Sequence, residues 1–95
     1  MHSQTTSARV APDLPALGRA VRELRVVRFI SQEELGARAS LHRNYVGAIE
    51  RGTINPTLRT LVQVAHGLTV PLSGLVVLYE RNATESRAIP PPLAP

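Results

Sequence analysis

The sequence predicts an all-α protein of five helices, and three observations lead to this fold class. Apolar residues recur every three or four positions in several segments, which is the spacing of one helix face. Two short segments carry residues that begin and end helices. Gly and Pro then separate these segments from the elements that follow. With 95 residues there is room for one small domain, which would be marginally stable alone.

The first helix is expected over residues 14–28. Its inward positions recur at intervals of three and four residues: Leu17, Val21, Leu24 and then Val27 or Arg28. The preceding residues, 1–13, are rich in Ser and Thr, and we predict that they form a disordered N-terminal arm.

A capped helix, a break and another helix follow. Ser31 can accept from the backbone N–H of Glu34 while the Glu34 side chain reaches back, a capping box that begins a helix at Gln32. The apolar pattern then breaks and resumes over a third helix at residues 42–51. Gly52 can take the left-handed conformation that ends a helix. The result is two short helices joined by a tight turn.

Two further helices complete the domain, which we place at residues 14–82. The fourth helix is expected over residues 57–67, with four inward positions: Leu58, Leu61, Val62 and Ala65. Pro71 opens a fifth helix over residues 72–81. Residues 83–95 end in the run IPPPLAP and are predicted to be a disordered tail, because Pro cannot continue a helix. A polyproline ligand is an alternative use of this tail.

Three runs of residues carry a resemblance to a known family: Ser31-Gln32-Glu33-Glu34-Leu35, Tyr45-Val46-x-x-Ile49-Glu50-Arg51-Gly52, and Asn55-Pro56-Thr57-Leu58. With these runs the chain resembles the phage repressor and Cro type of helix-turn-helix, the XRE-like family of bacterial regulators. The helix start Arg43-Asn44-Tyr45 also resembles the controller proteins of restriction-modification systems. The resemblance covers about residues 14–79. It implies a repressor/Cro-like domain that binds double-stranded DNA and regulates transcription, with the third helix in the major groove.

Three positions depart from the family pattern. Ser40 stands where the turn between the two short helices often has Gly, and Phe29 stands where Gly or a polar residue is frequent. Gly36 stands where a small Ala is usual, and Gly inside a helix is expected to cost about 1 kcal/mol relative to Ala.

The resemblance assigns candidate DNA contacts. A helix-turn-helix presents the N-terminal residues of its groove-entering helix to base edges. Arg43 and Asn44 are therefore the leading readers, since Arg pairs with guanine and Asn with adenine. His42 and Tyr45 flank them and could contact bases or phosphate, while Gly47 and Ala48 lack bulk and would allow close approach. The candidate phosphate contacts are Gln32 at the start of the second helix, then Thr53, Asn55, Arg51 and Arg59.

Arg25 and Glu50 stand where many family members pair an Arg late in the first helix with a Glu late in the third. The resemblance implies a partly buried ion pair between them, structural rather than catalytic. Removing one partner should cost more than the pair contributes, because the other charge would be left without its partner.

Composition agrees with a nucleic-acid partner and gives an enzyme little to use. The formal net charge is +4 and every basic residue is Arg, which suits a polyanion, although a GC-rich genome would also favour Arg codons. There are no cysteines, one Asp and three scattered His residues, so we expect no metal site, no cofactor and no catalytic activity.

The fifth helix is apolar nearly all round, which is more than one small domain can bury. We therefore expect a homodimer that places two third helices on a palindromic operator. The expected interface comprises Leu72, Leu75, Val76, Val77, Leu78 and Tyr79. The alternative is an antitoxin or adaptor that binds a different protein through the fourth and fifth helices.

Nothing in the sequence resembles a signal peptide, and the longest apolar run, residues 75–79, is too short to cross a bilayer. We therefore expect a cytoplasmic protein without a membrane partner. No segment suggests a site for a small-molecule effector.

Overall fold

The computed structural model describes residues 10–88, with residues 87 and 88 described by their backbone alone. Five helices form in this range: α1 Leu14–Val27, α2 Gln32–Ala39, α3 Arg43–Arg51, α4 Leu58–Leu68 and α5 Leu72–Ala88. Helix α1 packs against α3 and α5, and α2 packs against α3 and α4. The predicted all-α fold of five helices is confirmed for this part of the chain.

A side-chain cap begins each of the first four helices: Asp13 for α1, Ser31 for α2, His42 for α3 and Thr57 for α4. The predicted start of α2 is confirmed. Helices α3 and α4 begin one residue later than predicted, because His42 and Thr57 are caps and not helical residues. Asp13 was assigned to the disordered arm, but it caps α1 and so belongs to the domain; residues 1–9 of that arm lie outside the described residues.

Left-handed residues set the turns that end the helices. Helix α1 ends at Val27, one residue earlier than predicted, and Phe29 follows in the left-handed region with φ 57°. Ser40 takes φ 60° at the end of α2, so this Ser adopts the conformation for which the family often uses Gly. Gly52 ends α3 with φ 73°, as its position predicts.

Gly36 is required by the turn that follows it. A Cβ at this position would stand 2.5 Å from the Leu41 carbonyl oxygen and 3.3 Å from the Arg43 backbone nitrogen. The Leu41 N–H donates to the Gly36 carbonyl at 2.8 Å, which holds the two segments at this separation. The expectation that Ala would be better here is therefore wrong, because the close approach of the next segment outweighs helix propensity.

The buried face of α4 differs from the predicted one. Leu58 and Val62 were placed inward but are 66% and 49% exposed, whereas Val64 is fully buried. Gly67 determines which face of α4 is turned toward the core, since a Cβ there would lie 2.9 Å from Leu35 Cδ1 and 3.1 Å from Ala39 Cβ. Helix α4 therefore turns its smallest residue toward α2, and two large apolar residues are left on the surface.

Helix α5 continues to Ala88, so the predicted helix end at 81 and the domain boundary at 82 are both wrong. Asn82 Nδ2 donates to the Ala16 carbonyl at 3.2 Å, and Ala83 is 2% exposed. Arg19 adds a hydrogen bond to Ser86 Oγ at 2.9 Å. Packing against α1 extends the helix through a stretch too polar to show apolar periodicity. Residues 89–95 of the predicted tail lie outside the described residues.

Helices α1 and α3 approach each other at Gly18. A Cβ on Gly18 would overlap the Glu50 carbonyl oxygen and stand 2.6 Å from that of Ile49. One core fills the space between the helices, and it includes Leu17, Val21 and Leu35. Val27, a possible inward position of the first helix, is instead 65% exposed.

Within residues 10–88 no single helix is long and apolar enough to cross a membrane; α4 and residues 72–86 of α5, bent by 104° at the break between them, reach that length and apolar character together.

We expect Gly18→Ala to lower the free energy of unfolding by about 1–3 kcal/mol, because the added methyl group meets backbone carbonyls that cannot move without separating α1 from α3. Gly74→Ala is the matched control, since its Cβ would meet nothing closer than 3.7 Å. That change should instead stabilise the protein by about 0.5–1 kcal/mol through helix propensity. Urea denaturation of both variants checks this, and equal effects would contradict the proposed close approach.

Candidate nucleic-acid interface

The first turn of α3 presents polar side chains to solvent. His42, Arg43 and Asn44 are all exposed. Tyr45 is only partly exposed and packs against the core. The structure therefore brings three of the predicted base-reading residues together at one helix end, and Tyr45 lies between this end and the core.

Arg43 has a neighbour that the sequence interpretation did not assign to the site. Its Nη1 lies 3.8 Å from Glu33 Oε1, and both side chains are more than half exposed. Such an exposed pair contributes about 0–1 kcal/mol, so Arg43 can exchange this partner for another at little cost. The position of Glu33 in the first turn of α2 was visible in the sequence, but its distance from Arg43 depends on how α2 and α3 cross.

Gly47 is buried and does not form an open surface on α3. A Cβ at Gly47 would stand 2.9 Å from Arg51 Nη1 and 3.4 Å from Gln32 Oε1. The side chains of Arg51 and Gln32 therefore cover Gly47. This packing explains why a residue without a side chain stands here, with no need for close approach to DNA. Ala48 is partly exposed.

A hydrogen-bonded ion pair anchors the other end of α3. Arg25 donates from Nε to Glu50 Oε2 at 2.7 Å and from Nη2 to Glu50 Oε1 at 3.0 Å. Gln32 Nε2 donates to the same Oε1 at 2.9 Å, and Arg25 Nη1 donates to the Ile30 carbonyl at 2.9 Å. The hydrogen bond to Glu50 raises the pKa of the Arg25 guanidinium, although burial acts in the opposite direction. One carboxylate thus connects α1, α2 and α3.

The candidate phosphate contacts are not in one place. Gln32 already uses its side-chain amide on Glu50, and Thr53 Oγ1 donates to the Ala48 carbonyl at 3.1 Å. Arg51 lies beside Gly47, while Arg59 is exposed on the first turn of α4. Asn55 is exposed and lines a separate cavity of about 210 Å³ together with residues of α1, α4 and α5.

The fifth helix divides its apolar residues between core and surface. Leu75 and Leu78 were assigned to an interface, but they are 0% and 6% exposed, so the prediction is wrong for these two residues. They fill the core beneath α5. Val76 and Val77 are 37% and 59% exposed, and Leu72 and Tyr79 are partly exposed. On α4, Leu58 and Val62 are also exposed.

A family model described as Helix-turn-helix matches residues 21–75, more than half of the chain. Control protein C.SmaI of Serratia marcescens is 38% identical over 60 residues, which are 63% of this chain and 71% of the relative. The immunity repressor of Bacillus phage phi105 is 37% identical over 60 residues, and the match covers 63% of this chain. The chain spans only 42% of the length of that repressor.

The fold is similar to that of a solved structure, the restriction-modification controller protein C.AhdI of Aeromonas hydrophila. The TM-score is 0.65 at 38% sequence identity, and the match covers 66% of this chain and 96% of C.AhdI.

We expect Arg25→Met to lower the free energy of unfolding by about 3–5 kcal/mol, because the Glu50 carboxylate, 3% exposed, loses its charged partner. Arg38→Met is the matched control. Arg38 pairs with Glu34 on the surface of α2, with both side chains 46% exposed, and its loss should cost less than about 0.5 kcal/mol. Chemical denaturation measures both; similar losses would show that burial of the Arg25 pair has no energetic importance.

Proposed function

Because the chain belongs to the XRE-type helix-turn-helix family, we propose that it is a transcriptional regulator that binds double-stranded DNA with α3 in the major groove. The observation that carries this proposal is the contrast between the two ends of α3. Its C-terminal half is fixed to α1 and α2 through Glu50, while its N-terminal turn projects donors and acceptors into solvent. A rigid helix with a free polar end is what groove reading requires.

Arg43 and Asn44 are the proposed base readers. The guanidinium can donate to guanine O6 and N7 together, and the Asn amide can pair with adenine N6 and N7. Both side chains are exposed on the first turn of α3. The weak pair between Arg43 and Glu33 holds the guanidinium near this end and does not block its transfer to a base.

Phosphate contacts are proposed at the start of α2 and around the C-terminal end of α3. The free backbone N–H groups at the start of α2 can receive a phosphate at Gln32, whose side-chain amide is already engaged by Glu50. Arg51, which lies with Gln32 over Gly47, and Arg59 on α4 supply charge, with Thr53 and Asn55 as neutral contacts in the loop between α3 and α4. Contacts of this class fix the position of the protein on DNA without reading sequence.

We propose a homodimer that pairs through the exposed apolar face of α4 and α5, comprising Leu58, Val62, Val76 and Val77. A two-fold pair would place two α3 helices roughly 34–36 Å apart, about one DNA turn. The operator would then be an inverted repeat. Selection of binding sites from random duplex DNA, followed by titration at two salt concentrations, tests both statements. An inverted repeat with steep loss of affinity as salt rises supports them, and recovery of no motif overturns the proposal.

We expect Arg43→Ala to weaken binding to the selected operator by roughly 10- to 100-fold, and to weaken binding to random DNA much less, because a base contact is lost. Arg22→Ala removes the same charge from an exposed position on α1 and serves as the control. Fluorescence anisotropy gives the ratio of variant to wild-type dissociation constants on the operator and on random DNA. Equal losses on operator and random DNA would reassign Arg43 to a phosphate contact.

Val77→Asp should convert the dimer to a folded monomer, because it places a charge in the apolar face. Val27→Asp is a close control, since Val27 is 65% and Val77 is 59% exposed, and the two valines lie on different helices. Analytical ultracentrifugation should give a monomer for the first variant and a dimer for the second. If both variants are dimers, Val77 is not part of the interface.

A further inference from the structure

The histidine that precedes α3 is a cap, and its hydrogen bond selects one tautomer of the neutral ring. His42 has an extended backbone, φ −70° and ψ 143°, and its Nδ1 accepts from the backbone N–H of Asn44 at 3.0 Å. A ring nitrogen that accepts a hydrogen bond carries no proton. Caps at this position are ordinarily Ser, Thr, Asp or Asn, whose side chains are much shorter than an imidazole.

The second ring nitrogen must then be the donor. A neutral imidazole carries one proton, so with Nδ1 unprotonated the proton resides on Nε2. Nε2 lies on the side of the ring away from Nδ1, and His42 is exposed. None of the described residues accepts a hydrogen bond from it. The cap therefore holds an N–H donor in a fixed direction at the free end of α3.

We propose that His42 reads DNA as an obligate hydrogen-bond donor through Nε2, in a tautomer imposed by its capping bond to Asn44. The role rests on the proposed function of α3 as the groove-entering helix. The complementary group on DNA is an acceptor: guanine N7 or O6, adenine N7, thymine O4, or a phosphate oxygen. Cytosine offers only a donor in the major groove, so a cytosine facing His42 is disfavoured.

The surroundings of His42 agree with this assignment. Arg43, the next residue, also offers only donors, so the first turn of α3 faces DNA with two adjacent donor groups. The side chain of Asn44 is left free, because the bond to His42 uses its backbone N–H. The nearby carboxylate of Glu33 is directed at the Arg43 guanidinium, at 3.8 Å.

The tautomer is tested first, on the free protein. Nitrogen-15 NMR of the imidazole, at a pH where the ring is neutral, should show Nδ1 unprotonated and Nε2 protonated for His42. His66 is the internal comparison, since it is an exposed residue of α4 that caps no helix. A protonated Nδ1 on His42 would overturn the proposal without reference to DNA.

Two variants then separate capping from reading. His42→Ser keeps a cap acceptor but cannot reach DNA, and His42→Ala removes both functions. The Ser variant should unfold at the urea midpoint of the wild type and bind the selected operator about 2- to 10-fold more weakly, the loss of one neutral hydrogen bond. The Ala variant should show that loss and a lower midpoint. At a pH where the ring is neutral, the salt dependence of the Ser variant should match that of the wild type.

The choice of DNA shows whether the acceptor is a base or a phosphate. If His42 contacts a base, replacing the facing purine by its 7-deaza analogue or by cytosine should weaken the wild type and leave His42→Ser unchanged. If it contacts a phosphate, the Ser variant should lose affinity equally on operator and random DNA. Operator affinity unchanged in His42→Ser overturns the reading role alone. A wild type that selects no operator overturns the proposed function and this role together.

Discussion

The carboxylate of Glu50 is the point on which the position of α3 depends. It accepts two hydrogen bonds from Arg25 and one from Gln32, so it binds the last turn of α3 to the end of α1 and the start of α2. Arg25 also donates to the Ile30 carbonyl in the turn between those helices. A carboxylate that is 3% exposed is stable only with such a complete set of donors. The geometry of three helices is therefore set by one polar cluster.

A close backbone contact between α1 and α3 also holds the C-terminal end of α3. Gly18, about two turns before Arg25, allows α1 to lie against the carbonyls of Ile49 and Glu50. The approach and the ion pair fix the same half of α3, and the opposite half carries His42, Arg43 and Asn44 in solvent. The His42 cap begins that free end. In this arrangement the residues that hold the helix and the residues proposed to read DNA do not compete for the same contacts.

Helix α5 links the core to the proposed interface. Leu75 and Leu78 fill the space beneath it, while Val76 and Val77 on the other side remain exposed. Tyr79 accepts a hydrogen bond from the backbone N–H of Asp13 at 3.1 Å, which connects α5 to the start of α1. A change in α5 therefore acts on the core and the surface together. If the proposed dimer forms, its association stabilises the fold by mass action.

Local sequence patterns predict the features that are encoded within one helical turn. The Ser31 cap, the left-handed stop at Gly52 and the existence of all five helices follow from hydrogen bonds and φ preferences that span three or four residues. The predicted return bond from the Glu34 side chain is not formed, because this carboxylate pairs with Arg38. The family resemblance added the partners Arg25 and Glu50, which no local pattern could join. It also supplied the candidate DNA contacts, three of which lie together at the start of α3.

Contacts between helices decide which apolar residues are buried and where the last helix ends. Leu58 and Val62 are exposed because Gly67 must face Leu35 and Ala39, a constraint supplied by another helix. Helix α5 extends to Ala88 because α1 offers a carbonyl to Asn82, a contact across 66 positions of sequence. The covering of Gly47 by Gln32 and Arg51 likewise needs the crossing of α2 and α3. Periodicity predicts that a helix has an apolar face, but close approach between helices chooses which residues are buried.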